Sequence, residues 1–587
     1  MSPSTIPFTE IAGQKLSSEQ TAYLDGLFAG LRERGFTFAD VEPNPVAAAK
    51  PDLSALIAEE RIKRELHPLD SYPLLLEDAA ANKPPERENI FRYKWHGLFY
   101  LTPNKEAFMC RLRIPGGVVR SFQLRELSRI STELTSGYVQ ITTRANFQLR
   151  LIEPRNAPEV LRRIQTIGLH SRGAGADNIR NLTCNPTAGF DPSEFINPLP
   201  YCQQLAQIII NDRSFYDLPR KFNIAFDGGG LVGTLEDTND IGVKAVRIDE
   251  AARIGDARIE PGVYFRIALG GATGHKAFAD DLGVLVRPEE LLKVIVAIVR
   301  VFIGNGNRGD RKKARLKHLL ESWTLDQYLA ETEKVLGYSM LRLPSDLESK
   351  IQNPKSEIPH SHVGVFPQKQ KGLNYIGVAV PVGQITPRQM LRLADLSDHY
   401  GSGEIRLTVW QNLIVPNIPD PFVETVKRAL VKMGLHWQQS NLCSGLVACT
   451  GNSYCKFASS NTKVHALELA DYLDKRVQLD QPVNIHLTGC PNSCAQHYIG
   501  DIGLLGAKVK MAGETVEGYH VFVGGGFGIH QAIGRQVFQG ISFDQLKPTL
   551  ERMLKGFLRH RVPGESFRAF AQRHDLNSLQ AMFSNDE

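Results

Sequence analysis

The sequence predicts an α+β protein made of two pseudo-equivalent halves, and three observations carry that prediction. Segments of the first half recur in the same order in the second half. Strand and helix patterns follow one another in the same order in each copy. Five of the eight cysteines lie between residues 443 and 494, in the second half alone. The fold is therefore duplicated, while its cysteine chemistry is not.

The duplication is visible in four pairs of segments. The pairs are 108–127 with 374–393, 136–149 with 402–415, 222–229 with 483–490, and 264–272 with 519–527. The first two pairs are offset by 266 residues, the third by 261 and the fourth by 255, as short loop deletions would produce. One match could arise by chance, but an ordered series of four indicates a tandem duplication.

Each copy opens with the same predicted order of strand, helix, strand and helix. The later part of each copy mixes strands with glycine-rich turns. The predicted elements are strands at 109–117 and 375–383, helices at 121–134 and 386–400, strands at 138–152 and 404–417, and helices at 157–168 and 421–434.

The same patterns divide the chain into six regions. A charged, proline-rich N-terminal arm comes first, and a proline-containing linker separates the two halves. The predicted boundaries are an arm at 1–90, a half-domain at 91–172, a larger domain at 173–349, a linker at 350–370, a second half-domain at 371–438 and a second larger domain at 439–587.

Composition excludes several classes of protein. The chain has 587 residues, 42% hydrophobic and 22% charged, which is typical of a globular protein and not of a disordered chain or a coiled coil. A net charge of +5 is far from a nucleic-acid-binding composition. The longest apolar run, 294–304, is too short for a membrane span of about 20 residues. We expect a cytoplasmic monomer that has no nucleic-acid or membrane partner.

The sharpest chemical signal is a pair of cysteine motifs. Cys449 and Cys455 are separated by five residues, and Cys490 and Cys494 by three. Four thiolates in two close pairs can hold a [4Fe–4S] cluster. Zinc sites usually space each pair by two to four residues, so zinc is a weaker alternative, as are four unrelated core cysteines. Cys443, six residues before Cys449, is more simply read as a buried thiol.

Four segments of the sequence resemble segments of one protein family. ACTGNSYC (448–455) and TGCPNSCAQHYIGDIG (488–503) resemble the paired cysteine motifs of the sirohaem-containing nitrite and sulfite reductases. FRYKWHGLFYLTPNKEAFMCRLRIPGG (91–117) and FRIALGGATGHKAFADDLGVLVRPEE (265–290) also resemble segments of that family. The resemblance covers about 92–570, and an internal repeat is itself a family trait.

The resemblance implies two cofactors and a fold. It implies a [4Fe–4S] cluster on Cys449, Cys455, Cys490 and Cys494, with Cys494 also bridging to the iron of a sirohaem. It implies that each half is a ferredoxin-like half-domain followed by an α+β domain that binds sirohaem and cluster. A shared sulfur would couple a one-electron carrier to the metal that binds the substrate.

The divergence of the two copies supports a single shared site. Arg111 is replaced by Gly377 in the second copy, whereas Cys490 and Cys494 have no cysteine counterpart in the first copy. By resemblance, Arg111 and Arg180 bind the substrate anion and Lys221 is the catalytic lysine. A guanidinium can clamp two oxygens of an anion, and an ammonium can also deliver protons. Without the family motif, each arginine would more simply be a surface ion-pair partner.

Asn223 is the informative departure within this family. By the family resemblance, the sulfite-reducing branch has a second lysine at this position, whereas the nitrite-reducing branch has asparagine. Losing one cation beside the substrate costs a dianion such as sulfite about twice as much Coulomb energy as a monoanion such as nitrite. The alternative is that Asn223 only caps a strand or turn.

Sirohaem carries many carboxylates and therefore needs polar and basic partners. One candidate group matches the family segment that binds it, and a second lies in NRGDRKKARLK (307–317), where a solvated helix face is an equal alternative. The candidates are Thr142, Thr143, Arg144, Asn146 and Gln148 in the first group, Arg308, Arg311 and Arg315 in the second, and the bridging Cys494.

The resemblance is closest to ferredoxin-dependent assimilatory nitrite reductase. No dinucleotide-binding or phosphate-loop motif occurs in the sequence, so we expect electrons to come from a separate acidic ferredoxin. Sulfite reductase, with the same fold and cofactors, is the first alternative. More remote alternatives are a non-catalytic iron–sulfur electron-transfer protein and a related enzyme of tetrapyrrole synthesis.

Overall fold

The computed structural model describes residues 10–11, 14–18, 20–22, 24–25, 53–101, 106–254, 257–343, 348, 351–353, 362–511 and 513–584. Contacts divide the chain into two units, Met1–Leu56 and Ile57–Glu587. The predicted arm at 1–90 spans both units. Much of that arm, and residues 354–361 of the predicted linker, lie outside the described residues.

In the first unit, the described strands form one antiparallel pair, β1 (Glu10–Ile11) with β2 (Gln14–Lys15). All further description concerns the second unit.

The second unit contains both helices and strands. Its described α-helices are α1 (Ala58–Glu65), α2 (Tyr72–Ala80), α3 (Arg87–Arg92), α4 (Ser121–Leu134), α5 (Ala157–Thr166), α6 (Leu199–Asn211), α7 (Leu291–Asn305), α8 (Leu316–Leu319), α9 (Leu325–Leu336), α10 (Pro387–Tyr400), α11 (Val423–Lys432), α12 (Thr462–Asp474), α13 (Phe543–His560), α14 (Phe567–Arg573) and α15 (Leu576–Ser584). Its described strands are β3 (Leu98–Tyr100), β4 (Phe108–Arg111), β5 (Val118–Arg120), β6 (Val139–Ile141), β7 (Phe147–Ile152), β8 (Thr183–Cys184), β9 (Ile224–Asp227), β10 (Ile241–Ile248), β11 (Ala252–Ile254), β12 (Ala257–Ile259), β13 (Gly262–Leu269), β14 (Asp280–Asp281), β15 (Ile351–Gln352), β16 (Gly364–Pro367), β17 (Leu373–Val378), β18 (Gln384–Ile385), β19 (Glu404–Leu407), β20 (Leu413–Pro419), β21 (Leu446–Ala448), β22 (Ile485–Thr488), β23 (Ile502–Met511), β24 (Glu514–Val523) and β25 (Arg535–Ser542).

The two half-domains exchange equivalent strands. One five-stranded sheet has the order β18-β6-β7-β4-β3, and the other has the order β16-β17-β20-β19-β5. Strand β5 of the first copy thus pairs with β19 of the second, and β18 of the second pairs with β6 of the first. Strands β5 and β18 begin 266 residues apart, which is the offset of the repeat. The half-domains are therefore halves of one interlocked body.

Helices α4 and α10 pack against each other at the centre of that body. Their inward faces are apolar at helical spacing, as Leu124, Leu127 and Leu393 illustrate, and these side chains join one core drawn from both half-domains. Helix α10 begins with a capping box, in which Thr386 and Gln389 bond each other's backbone N–H groups. The predicted α+β fold with two pseudo-symmetric halves is confirmed.

One detail of the sequence prediction is wrong. The strands predicted at 138–152 and 404–417 are each a hairpin, β6–β7 and β19–β20, with a tight turn between the strands. In both turns the fourth residue has a positive φ, 48° at Ala145 and 62° at Gln411. Neither residue is a glycine, so the sequence carries no standard turn signal at these positions.

The two larger domains contain matching sheets. The first has the order β14-β13-β10-β9-β8, with β15 also paired to β10, and the second has the order β21-β22-β23-β24-β25. Followed in chain order, from β8 and from β21, each sheet has two parallel pairings and then two antiparallel pairings. Parallel neighbours end their strands at one sheet edge, and that edge carries the functional loops of both domains.

None of the described helices combines the length and apolar character that crossing a membrane requires. The most apolar of them, α7, buries most of its residues in the core of the first larger domain.

Candidate functional site

The hairpin turn 142–146 is the first component of the site. Thr142 N donates to Asn146 O at 2.9 Å, and Asn146 Nδ2 donates to Leu112 O at 2.7 Å. These bonds hold a rigid turn at the edge of the half-domain sheet. Thr142 and Asn146, predicted as sirohaem contacts, therefore shape the turn in this structure, and contact of either residue with sirohaem remains a prediction.

The tip of this turn reaches both larger domains. Thr143 Oγ1 donates to Cys494 O at 3.0 Å, and Arg144 Nη1 donates to Asn239 Oδ1 at 3.1 Å. Burial lowers the pKa of Arg144 to about 10. One short turn of the first half-domain thus joins the cysteine loop of the second copy to the cationic region of the first.

Arg111 and Arg180 converge on one loop. Arg111 lies at the end of β4, and its Nη1 donates to Ala174 O at 3.4 Å while its guanidinium covers the ring of Phe99 at 4.6 Å. Arg180 donates from Nη1 to the same carbonyl at 3.4 Å and from Nη2 to Ala176 O at 2.8 Å. Burial lowers the pKa of both groups, and Arg111 lowers that of Arg180 further.

Lys221 lies within the electrostatic reach of the same group. Burial lowers its pKa well below the usual value, the charges of Arg144, Arg315 and Arg180 lower it further, and the charge of Cys494 raises it. The predicted catalytic lysine of the first copy and the predicted bridging cysteine of the second copy therefore influence each other electrostatically.

Four cations and one thiol gather in this region. Arg111, Arg144, Arg180 and Lys221 are each partly accessible although burial lowers their pKa values, and Cys494 is exposed. Cations this close repel one another, and an anionic group bound beside them would relieve that repulsion.

Asn223 is buried beside these cations. Its backbone N–H donates to Asp240 Oδ2 at 2.8 Å. With its amide oriented so that both polar atoms have partners, Oδ1 accepts from Arg144 Nη2 at 2.9 Å and Nδ2 donates to Phe222 O at 3.3 Å. Asn223 therefore contributes an uncharged acceptor at a position where a lysine would add a cation next to Arg144.

The cysteines lie on loops at the common edge of β21 and β22. Cys449 directly follows β21, and its N–H donates to Leu487 O at 3.0 Å. Its Sγ accepts from Gly489 N at 3.2 Å and Gly451 N at 3.5 Å. Backbone donors aimed at sulfur stabilise the thiolate, the form that ligates iron.

The four predicted ligands interact electrostatically. Burial raises the pKa of Cys490 to about 11, and the charges of Cys494, Cys455 and Cys449 add to that rise. Within the described part of the chain, no three His, Cys, Asp or Glu side chains are placed to hold a single metal ion. That these four thiols together hold one cluster remains a prediction.

Cys443 stands apart from this group. Its Sγ donates to Asp474 Oδ2 at 3.0 Å, and burial raises its pKa to about 12. Cys443 therefore has a partner of its own, which agrees with its interpretation as a thiol outside the ligand set.

Two family models match the chain. The model for the nitrite and sulphite reductase 4Fe-4S domain matches residues 175–340 and 441–586, and the model for the nitrite/sulfite reductase ferredoxin-like half domain matches 101–167 and 366–433. Each model matches twice, once in each copy. The chain belongs to the nitrite and sulphite reductase family.

Similar proteins within this family carry different substrate names. The ferredoxin–nitrite reductase of Synechococcus elongatus is 36% identical over 81% of this chain and 90% of that protein. A sulfite reductase [ferredoxin] 2 of Mycolicibacterium paratuberculosis is 34% identical over 81% of this chain and 83% of that protein. The structure of the Mycobacterium tuberculosis NirA protein matches with a TM-score of 0.80 and 30% identity, over 89% of this chain and 97% of that one.

Membership in the nitrite and sulphite reductase family makes the chain an oxidoreductase with a [4Fe–4S] cluster and a sirohaem. The residues present fit both groups. Thiols whose charges interact, one of them with two backbone N–H donors, suit the cluster, and four partly accessible cations suit a polycarboxylate macrocycle.

Three predicted sirohaem contacts have carboxylate partners within the described structure. Arg308 contacts Glu60 and Asp217, Arg311 forms two 2.8 Å bonds with the buried Asp177, and Arg315 bonds both oxygens of Asp240. These pairs tie 307–317 to the first larger domain. The pairing gives the three arginines a structural role, and their contact with sirohaem remains a prediction.

Sequence reasoning missed Arg150, which lies on β7. Its side chain is 1% exposed, and it donates to Gln140, to Gln148 Oε1 at 2.6 Å and to Thr450 Oγ1 at 2.8 Å. Its guanidinium also lies 5.2 Å from the ring centre of Tyr454. Arg150 thus links the first half-domain to the Cys449–Cys455 loop. It also uses the side-chain oxygen of Gln148, another predicted sirohaem contact, as a hydrogen-bond acceptor.

Lys463 was missed as well. It lies at the start of α12, and its ammonium donates to the carbonyls of Val382 and Ala448. Burial and the charge of Arg150 lower its pKa to about 7, whereas Cys449 raises it. A charged residue in the first turn of an otherwise ordinary helix gave no signal of this contact.

Proposed function

We propose that this protein reduces nitrite to ammonium with six electrons from reduced ferredoxin. The reaction consumes one nitrite, six electrons and eight protons and yields one ammonium and two waters. The observation that carries the proposal is that Arg111 and Arg180 share the Ala174 carbonyl, while Thr143 of the neighbouring turn bonds the backbone of Cys494.

The cofactors supply a metal that binds the anion and a carrier of single electrons. The remaining tasks belong to the side chains. Arg111 and Arg180 share the Ala174 carbonyl, so their guanidiniums are held side by side as an anion clamp. Arginine does not lose its proton at ordinary pH, so the clamp positions the substrate and does not relay protons.

Lys221 is the group suited to moving protons. It is desolvated among three arginines, which favours release of its proton to a nearby acceptor. Each oxygen that leaves nitrite as water needs two protons, and a lysine can be reprotonated from solvent between steps. Arg144, held by Asn223 and Asn239, adds positive charge but does not take part in the release and uptake of protons by Lys221.

The preference for nitrite over sulfite rests on position 223. An uncharged asparagine leaves one cation fewer near the substrate than the lysine of the sulfite-reducing branch. At about 6 Å and an effective dielectric constant of about 20, one unit charge contributes about 3 kcal/mol to a monoanion and about 6 kcal/mol to a dianion. Losing that cation therefore disfavours sulfite more than nitrite.

Ferredoxin as donor is supported by the printed names of the relatives and by the net charge of +5. A basic protein attracts an acidic partner at long range, which accelerates their encounter.

Sulfite reduction is the second candidate, because a relative named sulfite reductase is 34% identical over 81% of the chain. The test compares steady-state turnover of nitrite and sulfite by one preparation of holoenzyme, with reduced ferredoxin as donor. We expect a higher kcat/KM for nitrite. A higher kcat/KM for sulfite would overturn the substrate assignment.

A variant sharpens this test. Asn223→Lys is expected to raise the ratio of sulfite to nitrite kcat/KM by about tenfold or more. Asn211→Lys adds the same charge at the exposed end of α6 and serves as the matched control, with no change in the ratio expected. If the two variants give the same ratio, position 223 does not set the preference.

A further inference from the structure

A cavity lies away from the cysteine loops. Its volume is about 400 Å³, and it opens between the start of α2, helix α5 and the segment that follows α5. Its wall carries three arginines and one aspartate, a net charge of +2. The charged residues are Asp70, Arg162, Arg172 and Arg213.

Arg172 differs from the other two arginines of this wall. Arg162 makes two 2.7 Å bonds to Glu159, and Arg213 pairs with Asp70. Within the described part of the chain, Arg172 has no carboxylate partner, and its buried Nε has no hydrogen-bond partner. Its guanidinium instead covers the ring of Tyr216 at 4.9 Å. The cavity thus contains one cation whose charge no described side chain neutralises.

Two imidazoles lie on the same wall. Burial lowers the pKa of His96 to about 4 and that of His170 to about 3, and the charge of Arg172 lowers both further. Both rings are therefore neutral at neutral pH, and Nε2 of His96 is already paired with Ser71 Oγ at 3.3 Å. Nδ1 of His170 is buried and has no partner among the described residues. Ser171 and Gln165 add further polar groups to the wall.

The rest of the wall is apolar or aromatic. Leu69 and Leu161 line it, and the ring of Tyr72 lies 5.9 Å from that of His96. A free phosphate fills only a small part of 400 Å³, and a cavity of this size falls in the range that holds small organic ligands. The combination of a cationic end and an apolar side fits a ligand with one anionic group and a compact organic body.

We propose that this cavity binds a small phosphomonoester, whose phosphate contacts the guanidinium of Arg172 and whose organic part lies against Leu69, Tyr72 and Leu161. A phosphate group matches the guanidinium fork of Arg172, the cation of this wall whose charge no described side chain neutralises. A neutral ligand would leave Arg172 uncompensated.

The cavity and the candidate site share one segment of chain. Ser171 and Arg172 line the cavity, and three residues later Ala174 accepts from both Arg111 and Arg180. The phosphomonoester site is nevertheless independent of the proposed substrate, because none of its lining residues touches the cysteine loops.

The test is isothermal titration of the holoenzyme with AMP, adenosine and inorganic phosphate. We expect AMP to bind, adenosine not to bind, and inorganic phosphate to bind more weakly than AMP. Arg172→Gln should weaken AMP binding by about tenfold or more, and Arg172→Lys by less, because lysine keeps the charge without the fork. Arg155→Gln is the matched control, since Arg155 is exposed, pairs with Glu153 and does not line the cavity.

Several results would overturn the proposal. They are equal binding of AMP and adenosine, AMP affinity unchanged in Arg172→Gln, and no binding by either phosphate compound. Inorganic phosphate binding as tightly as AMP would overturn the role of the apolar side. Unchanged sirohaem and cluster absorption in each variant ensures that lost binding does not reflect lost folding.

Discussion

The two larger domains share one sheet topology and differ at one edge. In the first, Cys184 pairs with Phe226 across β8 and β9, and in the second, Ala448 pairs with Leu487 across β21 and β22. The next residue is Asn185 in the first copy and Cys449 in the second. The same backbone position is therefore a hydrogen-bonding amide in one copy and a predicted cluster ligand in the other.

In the first copy, side chains tie the loops of this edge together. Asn185 Nδ2 donates to Asp227 Oδ1 and to Val232 O, both at 3.0 Å, and its Oδ1 accepts from Gly228 N at 2.7 Å. Asp191 adds a 2.8 Å bond from Leu231 N. In the second copy, the corresponding loops carry four thiols instead. The loops of the first copy are therefore joined by side-chain hydrogen bonds, whereas the corresponding loops of the second copy carry the predicted cofactor ligands.

The cations show the opposite difference. Arg111 of the first copy corresponds to Gly377 of the second, where a Cβ atom would lie 1.5 Å from the carbonyl oxygen of His362. The second copy thus has no room for a side chain at the position where the first copy has its anion clamp. The predicted site therefore combines the cationic side chains of the first copy with the cysteine loops of the second.

The largest effect is expected from the second copy. Cys490→Ser should abolish the cluster, because serine oxygen is a poor ligand for iron–sulfur clusters and the other three thiols cannot close the site. Iron and acid-labile sulfide analysis with the visible spectrum measures the loss. Cys443→Ser is the control, since Cys443 bonds Asp474, and it should retain full cluster content. Retained cluster in Cys490→Ser would remove the basis of the comparison.

The next effect tests the first copy. Arg111→Gln should lower kcat/KM for nitrite by about 100-fold, because it removes one arm of a charge-assisted clamp, while cluster content stays unchanged. Arg125→Gln, at an exposed pair with Asp395, should leave kcat/KM unaffected. Loss of the cluster in Arg111→Gln would show that anion binding by the first copy and cluster binding by the second copy are not separate functions.

A smaller effect concerns the bonded loops of the first copy. Asn185→Ala should destabilise the protein by about 1–3 kcal/mol, since Asp227 and Gly228 lose buried partners, without changing cluster content. Denaturant unfolding followed by circular dichroism measures the difference. Asn211→Ala, on the exposed end of α6, should change stability by less than about 0.5 kcal/mol. Equal stability of the two variants would mean that the loop bonds do not hold this edge.

The smallest effect lies between the copies. Arg125 on α4 bonds Asp395 and Asp398 on α10, each at 2.7 Å, and both aspartates are exposed while Arg125 is partly exposed. Arg125→Ala should cost at most about 1 kcal/mol, and less in high salt, because exposed ion pairs contribute little. Unfolding in low and high salt checks this. A larger, salt-independent loss would mean that the helix pair depends on this contact more than on its apolar core.

The parts of the site that sequence could predict are those with local motifs. The cysteine pairs have a distinctive spacing, and Arg111, Arg180 and Lys221 lie in recognisable segments. Arg150 and Lys463 have no such motif, because their partners, Thr450 and Val382, are separated from them by 300 and 81 residues. The charge run 307–317 predicted basic groups but could not reveal that Asp177 and Asp240 already bind two of them.

The sequence by itself determined the duplication, the α+β class and the four cysteines, because repeats, periodicity and close spacing are written along the chain. Only the tertiary structure decided that β5 and β18 are exchanged between copies, that Arg150 joins a half-domain to the cysteine loop, and that Arg172 lines a cavity with no carboxylate partner among the described residues. The reason is physical: hydrogen bonds, ion pairs and cavities depend on distances between side chains, and folding brings together residues that the linear sequence keeps far apart.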